Sequence, residues 1–353
     1  MLSLLIFPFL ISFFLSLATT PLVIAVFKKK GWLDKSKNKE HPKHVHSQPV
    51  PRGGGISVFL AIMATALIFL TPDKHFKAVF SAAAITLLVG VVDDLFNINP
   101  YLRILTNSIA ALIIINSGIT VDYLTNPFGG ILDLKKYFGP FLLSDIVTLI
   151  WILWCINVVG WSAGVDGQLP GFVSITGFVI GLLSLRFSQD ITQWPVIVLA
   201  GAVSGAYLGF LPFNFYPQRI MPGYSGKSLA GLLIAILAIL SGAKLATVIL
   251  TLGIPMLDGL WAIIRRTARG KMPVWGDAEH LHHLLLKAGV NKPLIAISYW
   301  FFSAVLGVIV LQLNSKQKIW ALLIVAAGFI ALVINLKKLI RKNGHLDAKK
   351  SST

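Results

Sequence analysis

Ala82-Ala-Ala-Ile-Thr-Leu-Leu-Val-Gly-Val-Val-Asp-Asp94 decides how the chain is read. An apolar run ends abruptly on two adjacent carboxylates. Working outward, mean hydropathy is +0.78, 56% of residues are hydrophobic and only 13% are charged. Acidic side chains number 14 in 353 residues, so a pair at the end of an apolar run is costly unless it serves something. Apolar stretches of about 17 to 25 residues, the length that spans a bilayer, recur along the sequence. The candidates are Leu2–Phe27, Gly54–Leu70, Phe76–Val92, Leu102–Ile119, Phe141–Ile156, Phe172–Leu185, Trp194–Leu211, Leu229–Leu240, Leu245–Ile264, Ile295–Leu313 and Ile319–Leu336. The expected fold is all-α: a polytopic integral membrane protein with about 11 transmembrane helices, N-terminus outside and C-terminus cytoplasmic.

Charge supports that topology. The first run resembles a signal peptide, with Ser16-Leu17-Ala18 as a small-residue site, but no cation precedes it and Lys28-Lys29-Lys30 follow it. That order favours an uncleaved anchor. Alternate loops, with the tail, carry 23 of the 31 Lys and Arg, leaving 8 on the other side. The richer side is cytoplasmic by the positive-inside rule. A single membrane domain is expected over residues 1–342, with a disordered basic tail over 343–353. The net charge of +17 does not indicate nucleic acid, because the cations flank spans instead of forming a soluble patch. They suit anionic lipid headgroups and an anionic substrate. The single cysteine, Cys155, excludes an intrachain disulfide, and no internal repeat is evident.

Three polar segments fall on the expected cytoplasmic side. The first is Asp93-Asp94 with Arg103 shortly after; the pair suits a divalent cation, or equally a solvated helix end. The second is Asn157-Val-Val-Gly-Trp-Ser-Ala-Gly-Val-Asp-Gly167, whose glycines allow close approach of backbone amides to phosphate, or simply a tight turn. The third is Asp277-Ala-Glu-His280-Leu-His282-His283 after Arg265, Arg266 and Arg269. His280 and His283 share a helix face at their spacing and His282 points elsewhere. The usual zinc spacing is absent, so imidazoles facing a phosphate are the better reading.

In order and spacing these segments resemble the polyprenyl-phosphate N-acetylhexosamine-1-phosphate transferases. The resemblance also takes in Gly31-Trp-Leu-Asp34, His46 with Pro51-Arg-Gly-Gly-Gly55, and Pro255-Met-Leu-Asp258. It implies a cytoplasmic active site in the plasma membrane, with Mg2+ or Mn2+ as cofactor. A sugar 1-phosphate passes from a UDP-sugar to polyprenyl phosphate, UMP leaves, and cell-envelope glycan synthesis begins. Membrane lipids and a homodimer are compatible partners. By resemblance Asp93, Asp94 and His282 are catalytic, with Asp93 and Asp94 on the metal. His46, Arg103, Asn157, Gly164, Asp166, Gly167, Asp277, His280 and His283 bind substrate. The chain departs from the family at Gly160, Ala163 and Gln168 in the loop, and at Tyr224 and Lys227, where the family carries Asp and Ser. Ala163 and Tyr224 each replace a carboxylate. They keep open a non-catalytic homologue that binds polyprenyl phosphate or a partner. A transporter is disfavoured, because ionisable residues within the spans are scarce; Asp258 is the main one.

Overall fold

A computed structural model describes residues 1–34, 49–126, 129–242, 244–272 and 279–350, with side chains to 342. Thirteen helices dominate it, with three two-stranded antiparallel ribbons. Eight helices are long and apolar enough to cross a membrane. They are α1 (Ser3–Lys30), α3 (Lys74–Phe96), α5 (Leu143–Trp161), α6 (Gln168–Leu185), α7 (Trp194–Asn214, entered by a 3-10 turn), α8 (Gly223–Leu240), α12 (Lys292–Gln312) and α13 (Ser315–Lys350). Two shorter apolar helices, α2 (Gly54–Phe69) and α4 (Pro100–Asn116), and a broken pair, α9 (Leu245–Thr251) and α10 (Gly253–Ala268), lie at the positions of the other three expected spans, of which only the broken pair, taken as one, has the length and composition to cross. The last helix, α11 (Leu281–Lys287), is short. The all-α membrane architecture therefore holds. α13 passes the expected domain end at residue 342.

The eighth and ninth spans differ from expectation. The eighth begins at Gly223 instead of Leu229, because Asp94 holds its polar first turn. The ninth bends by 89° between α9 and α10. Pro255 lacks an amide hydrogen and crowds the carbonyl four residues back, which favours a kink or a break at this point. An uninterrupted apolar run hides such a break.

α8 lies at the centre, packed by α2, α3, α5, α6 and α7. Small residues allow the close approach, as is usual between membrane helices. A Cβ on Gly90 of α3 would lie 2.3 Å from Cα of Ser225, and one on Gly231 of α8 would lie 2.4 Å from Cα of Ile156.

Helix ends then set the polar geometry. Asp73 caps α3, accepting from the amide of Phe76 at 2.7 Å. α3 stops at Asn97, which takes a left-handed φ of 50°. Asn99 accepts from the amide of Tyr101 at 2.9 Å, and Pro100 opens α4. This tight turn brings Arg103 back over Asp93. The strands β1 (Leu33–Asp34) and β2 (Val50–Pro51) pair at the same end of the bundle. Two further ribbons, β3 (Tyr123–Thr125) with β4 (Ile131–Asp133) and β5 (Tyr137–Phe138) with β6 (Phe141–Leu142), lie between α4 and α5.

Gly231→Leu should lower stability by at least about 1–3 kcal/mol, the range for overpacking a close contact. Thermal unfolding in detergent reads it. Gly328→Ala, where a Cβ meets nothing within 4 Å, should leave the midpoint unchanged or slightly higher.

Candidate active site

The site assembles on the first turn of α8. Asp94 accepts from the amide of Tyr224 at 2.6 Å, from the amide of Ser225 at 3.2 Å and from Oγ of Ser225 at 2.6 Å. A carboxylate over the positive end of a helix is a favourable arrangement. Beside it, Asp93 is 4% exposed and pairs with Arg103 at 2.7 Å. Its Oδ1 also takes the amide of Ile98 at 3.1 Å. The Arg103 guanidinium lies 5.0 Å over the Tyr224 ring, and Asn107 donates to the Tyr224 hydroxyl at 2.9 Å. Where the resemblance places a carboxylate, an aromatic ring therefore supports a cation. Arg52 joins this end, donating to Asp34 at 2.6 Å and to Asn97 at 3.1 Å.

The second segment lies alongside. Asn157, on α5, donates to its own helix at the carbonyl of Leu153, 2.8 Å away. Three of the loop amides are satisfied within the protein. Gln168 Oε1 accepts from Gly164 at 3.2 Å and from Val165 at 3.1 Å, and Asn214 accepts from Gly167 at 3.1 Å. Gly167 has a φ of 79°, which suits glycine. Gly164 is needed for a different reason: a Cβ there would lie 1.8 Å from Nε2 of His282. Asp166, 5% exposed, accepts from the amide of Gln218 at 3.4 Å.

The histidines gather differently from the sequence expectation. His280 is the extended cap residue before α11, not part of it. Helical spacing therefore does not govern the three rings, and His282 sits between the others. Its ring stacks on His280 at 5.7 Å and lies 4.2 Å from His283. Burial first, then the charges of His283, His280 and Lys227, push His282 well below the usual imidazole pKa. Its Nδ1 is buried without a hydrogen-bond partner among the described residues. His280 is held by Asp258, 2.8 Å from Nδ1, and by Arg266, 3.2 Å from Nε2. Arginine only donates, so Nε2 accepts and Nδ1–H points to Asp258. Asp258 also accepts from the amide of Leu281 at 2.9 Å. Arg266 lies 5.1 Å over the Trp161 ring, which ties this cluster to the end of α5. Outside the helices, Arg269 holds the Glu279 carboxyl below its usual range.

The structure thus brings together Asp93, Asp94, Arg103, the Asn157–Gly167 segment, His280, His282 and His283. His46 and Asp277 lie outside the described residues. Asp258, Gln168, Asn107 and Ser225 also belong to the site, beyond the sequence expectation. An acid inside an apolar span was the one signal among them.

Among the described residues no three His, Cys, Asp or Glu side chains are placed to hold one metal ion together. Magnesium, however, is commonly held by one or two carboxylates completed by substrate phosphates. Asp93 fits that role, since its Oδ2 accepts from no donor among the described residues. Asp94 fits less fully, because both its oxygens already serve α8.

Comparison with known proteins identifies the family. The glycosyl transferase family 4 model matches residues 76–242, which include the acidic pair, the loop and the start of α8 but not the histidines. The decaprenyl-phosphate N-acetylglucosaminephosphotransferase of Mycobacterium tuberculosis is 30% identical over 283 residues, covering 70% of this chain and 68% of the relative. A probable undecaprenyl-phosphate N-acetylglucosaminyl 1-phosphate transferase of Bacillus subtilis is 27% identical over 88% of this chain and 85% of its own length. The undecaprenyl-phosphate alpha-N-acetylglucosaminyl 1-phosphate transferase of Thermotoga maritima is 26% identical over 96% of this chain and 98% of its own. A membrane-embedded transferase is the class that this fold and site define. The chain belongs to glycosyl transferase family 4.

Asp94→Asn should lower unfolding stability by about 1–3 kcal/mol, since a buried charge-assisted cap is weakened. The sign of the His282 effect is also fixed. Its folded pKa lies below the unfolded value near 6.5, so stability is complete above about pH 6.5 and falls below it, by at most about 1.4 kcal/mol per pH unit. Unfolding measured from pH 7.5 to 5 should show that slope, and His282→Asn should reduce it.

Proposed function

We propose that the protein transfers a sugar 1-phosphate from a UDP-N-acetylhexosamine to polyprenyl phosphate, releasing UMP. The names of the relatives make N-acetylglucosamine the first sugar to test. The observation that carries the reading is the convergence of the acidic pair, Arg103 and the buried histidine cluster at one end of an apolar bundle. Two anions must meet there, and the chemistry of phosphoryl transfer asks chiefly for positioning and positive charge.

Arg103 positions the lipid phosphate beside Asp93, which orients it or takes its proton. A phosphate oxygen attacks the β-phosphorus of the UDP-sugar. The bond from that phosphorus to the bridging oxygen breaks, and UMP leaves with the electron pair. A divalent cation, held by Asp93 with Asp94 behind it, would neutralise charge on the diphosphate. His282, neutral and with Nδ1 unpartnered among the described residues, contacts a diphosphate oxygen. His283, Asp277 and His46 contribute to the same substrate. Asn157, Gly164, Asp166 and Gly167 shape the nucleotide side. Asp258 and Arg266 fix the His280 ring, and with it the packing of His282.

The charge asymmetry supports a site on the cytoplasmic face of the plasma membrane, within a multi-pass domain over residues 1–342. Single cysteines at positions 93 and 282, with Cys155 removed, should label from the cytoplasmic side, and one at 135 from outside. Outside labelling at 93 would contradict that orientation.

UMP release by purified protein with UDP-sugar, polyprenyl phosphate and magnesium tests the activity. Asp93→Asn should lower turnover by about two orders of magnitude or more. Near-normal turnover in that variant would refute its role. Absence of turnover in the native chain at any magnesium concentration, with lipid binding retained, would favour the non-catalytic homologue that Ala163 and Tyr224 suggest.

A further inference from the structure

At the end of the bundle away from Asp93, three chain connections meet around α9, which packs on α6, α12 and α13. Each brings a cation. Arg186, the residue closing α6, donates to the carbonyl of Leu311 near the end of α12. Lys318, in the first turn of α13, donates to Oγ1 of Thr247 on α9 at 3.0 Å. Lys244, immediately before α9, places Nζ 3.4 Å from the centroid of the Phe187 ring, next to Arg186. Lys244 and Lys318 are half-buried.

No carboxylate pairs with these three among the described residues. Asp73 caps α3, Asp122 pairs with Lys135 at 2.9 Å, and Asp190 accepts from Thr192. Scattered interfacial lysines are ordinary. Here three of the eight Lys and Arg expected on this side share one patch. Lys318 also lies at a helix N-terminus, where the backbone dipole disfavours a cation. Burial, together with the charge of Lys318, pulls Lys244 down to about 8. The patch therefore gathers positive charge with no carboxylate paired to it among the described residues. Exposed aromatics mark its depth: Phe187, Trp194 and Trp320 are 47%, 39% and 67% exposed. Such residues gather where apolar chains meet lipid headgroups.

We propose that Arg186, Lys244 and Lys318 bind the phosphate of an anionic phospholipid in the leaflet opposite the active site. The lipid would tie α6, α9 and α13 together. It would thereby brace the break that leads into α10, the helix carrying Asp258.

Thermal unfolding of the full chain in detergent tests this, with dihexanoyl-phosphatidylglycerol, dihexanoyl-phosphatidylcholine and inorganic phosphate as three separate additions. Phosphatidylglycerol should raise the midpoint saturably, and the other two should not. Each cation near a membrane surface is worth about fivefold in binding anionic lipid. Lys244→Gln with Lys318→Gln should therefore weaken the response about thirtyfold, whereas Lys244→Arg with Lys318→Arg should preserve it. If the glutamine pair does not fold, Lys244→Gln alone should weaken the response about fivefold. Equal stabilisation by phosphatidylcholine, or an unchanged response in the folded glutamine variant, would overturn the site. Full stabilisation by inorganic phosphate alone would overturn the lipid assignment.

Discussion

The grip of Asp94 on the first turn of α8 is the interaction on which the site depends. α8 is the central helix, and its polar start would otherwise lie unsupported among apolar neighbours. Asp94 meets two amides and a hydroxyl there. That contact fixes the rotation of α3 against α8, with Gly90 allowing the backbones to close. The position of Asp93 follows from Asp94, and that of Arg103 follows from the tight turn into α4. Tyr224 then lies under the guanidinium as a consequence of the same helix start. One charge-assisted contact thereby places Asp93, Arg103 and Tyr224.

The histidine half is organised by a second buried carboxylate. Asp258 is 1% exposed and satisfies both the His280 ring and the amide that opens α11. The bend at Leu252 lets α10 present Asp258 there. Gly164 then admits His282 against the loop. The two halves meet through α8, since Lys227 lies one turn beyond Tyr224 and its charge bears on His282. Ala163 and Tyr224, where the resemblance places carboxylates, thus lie in a centre to which Arg103 and Lys227 bring positive charge.

Most of the bundle was legible because a bilayer imposes one length and one polarity on each span. Acidic pairs are rare in such a sequence, so Asp93 and Asp94 were conspicuous. Contacts that depend on exact backbone course were not legible. A continuous apolar run does not show whether Pro255 breaks it. His280, one residue outside a helix, escapes the helical spacing that its neighbours suggest. Gln168 resembled a mere departure from a motif, yet it holds two amides of the loop.

Transfer of label from a UDP-sugar carrying radioactive phosphorus in the β position tests the central claim most directly. The account predicts that label moves into an organic-extractable polyprenyl product, with unlabelled UMP in the water phase, and that Asp93→Asn suppresses both. Label retained in the water phase as UDP, with sugar alone on the lipid, would contradict phosphoryl transfer at this site.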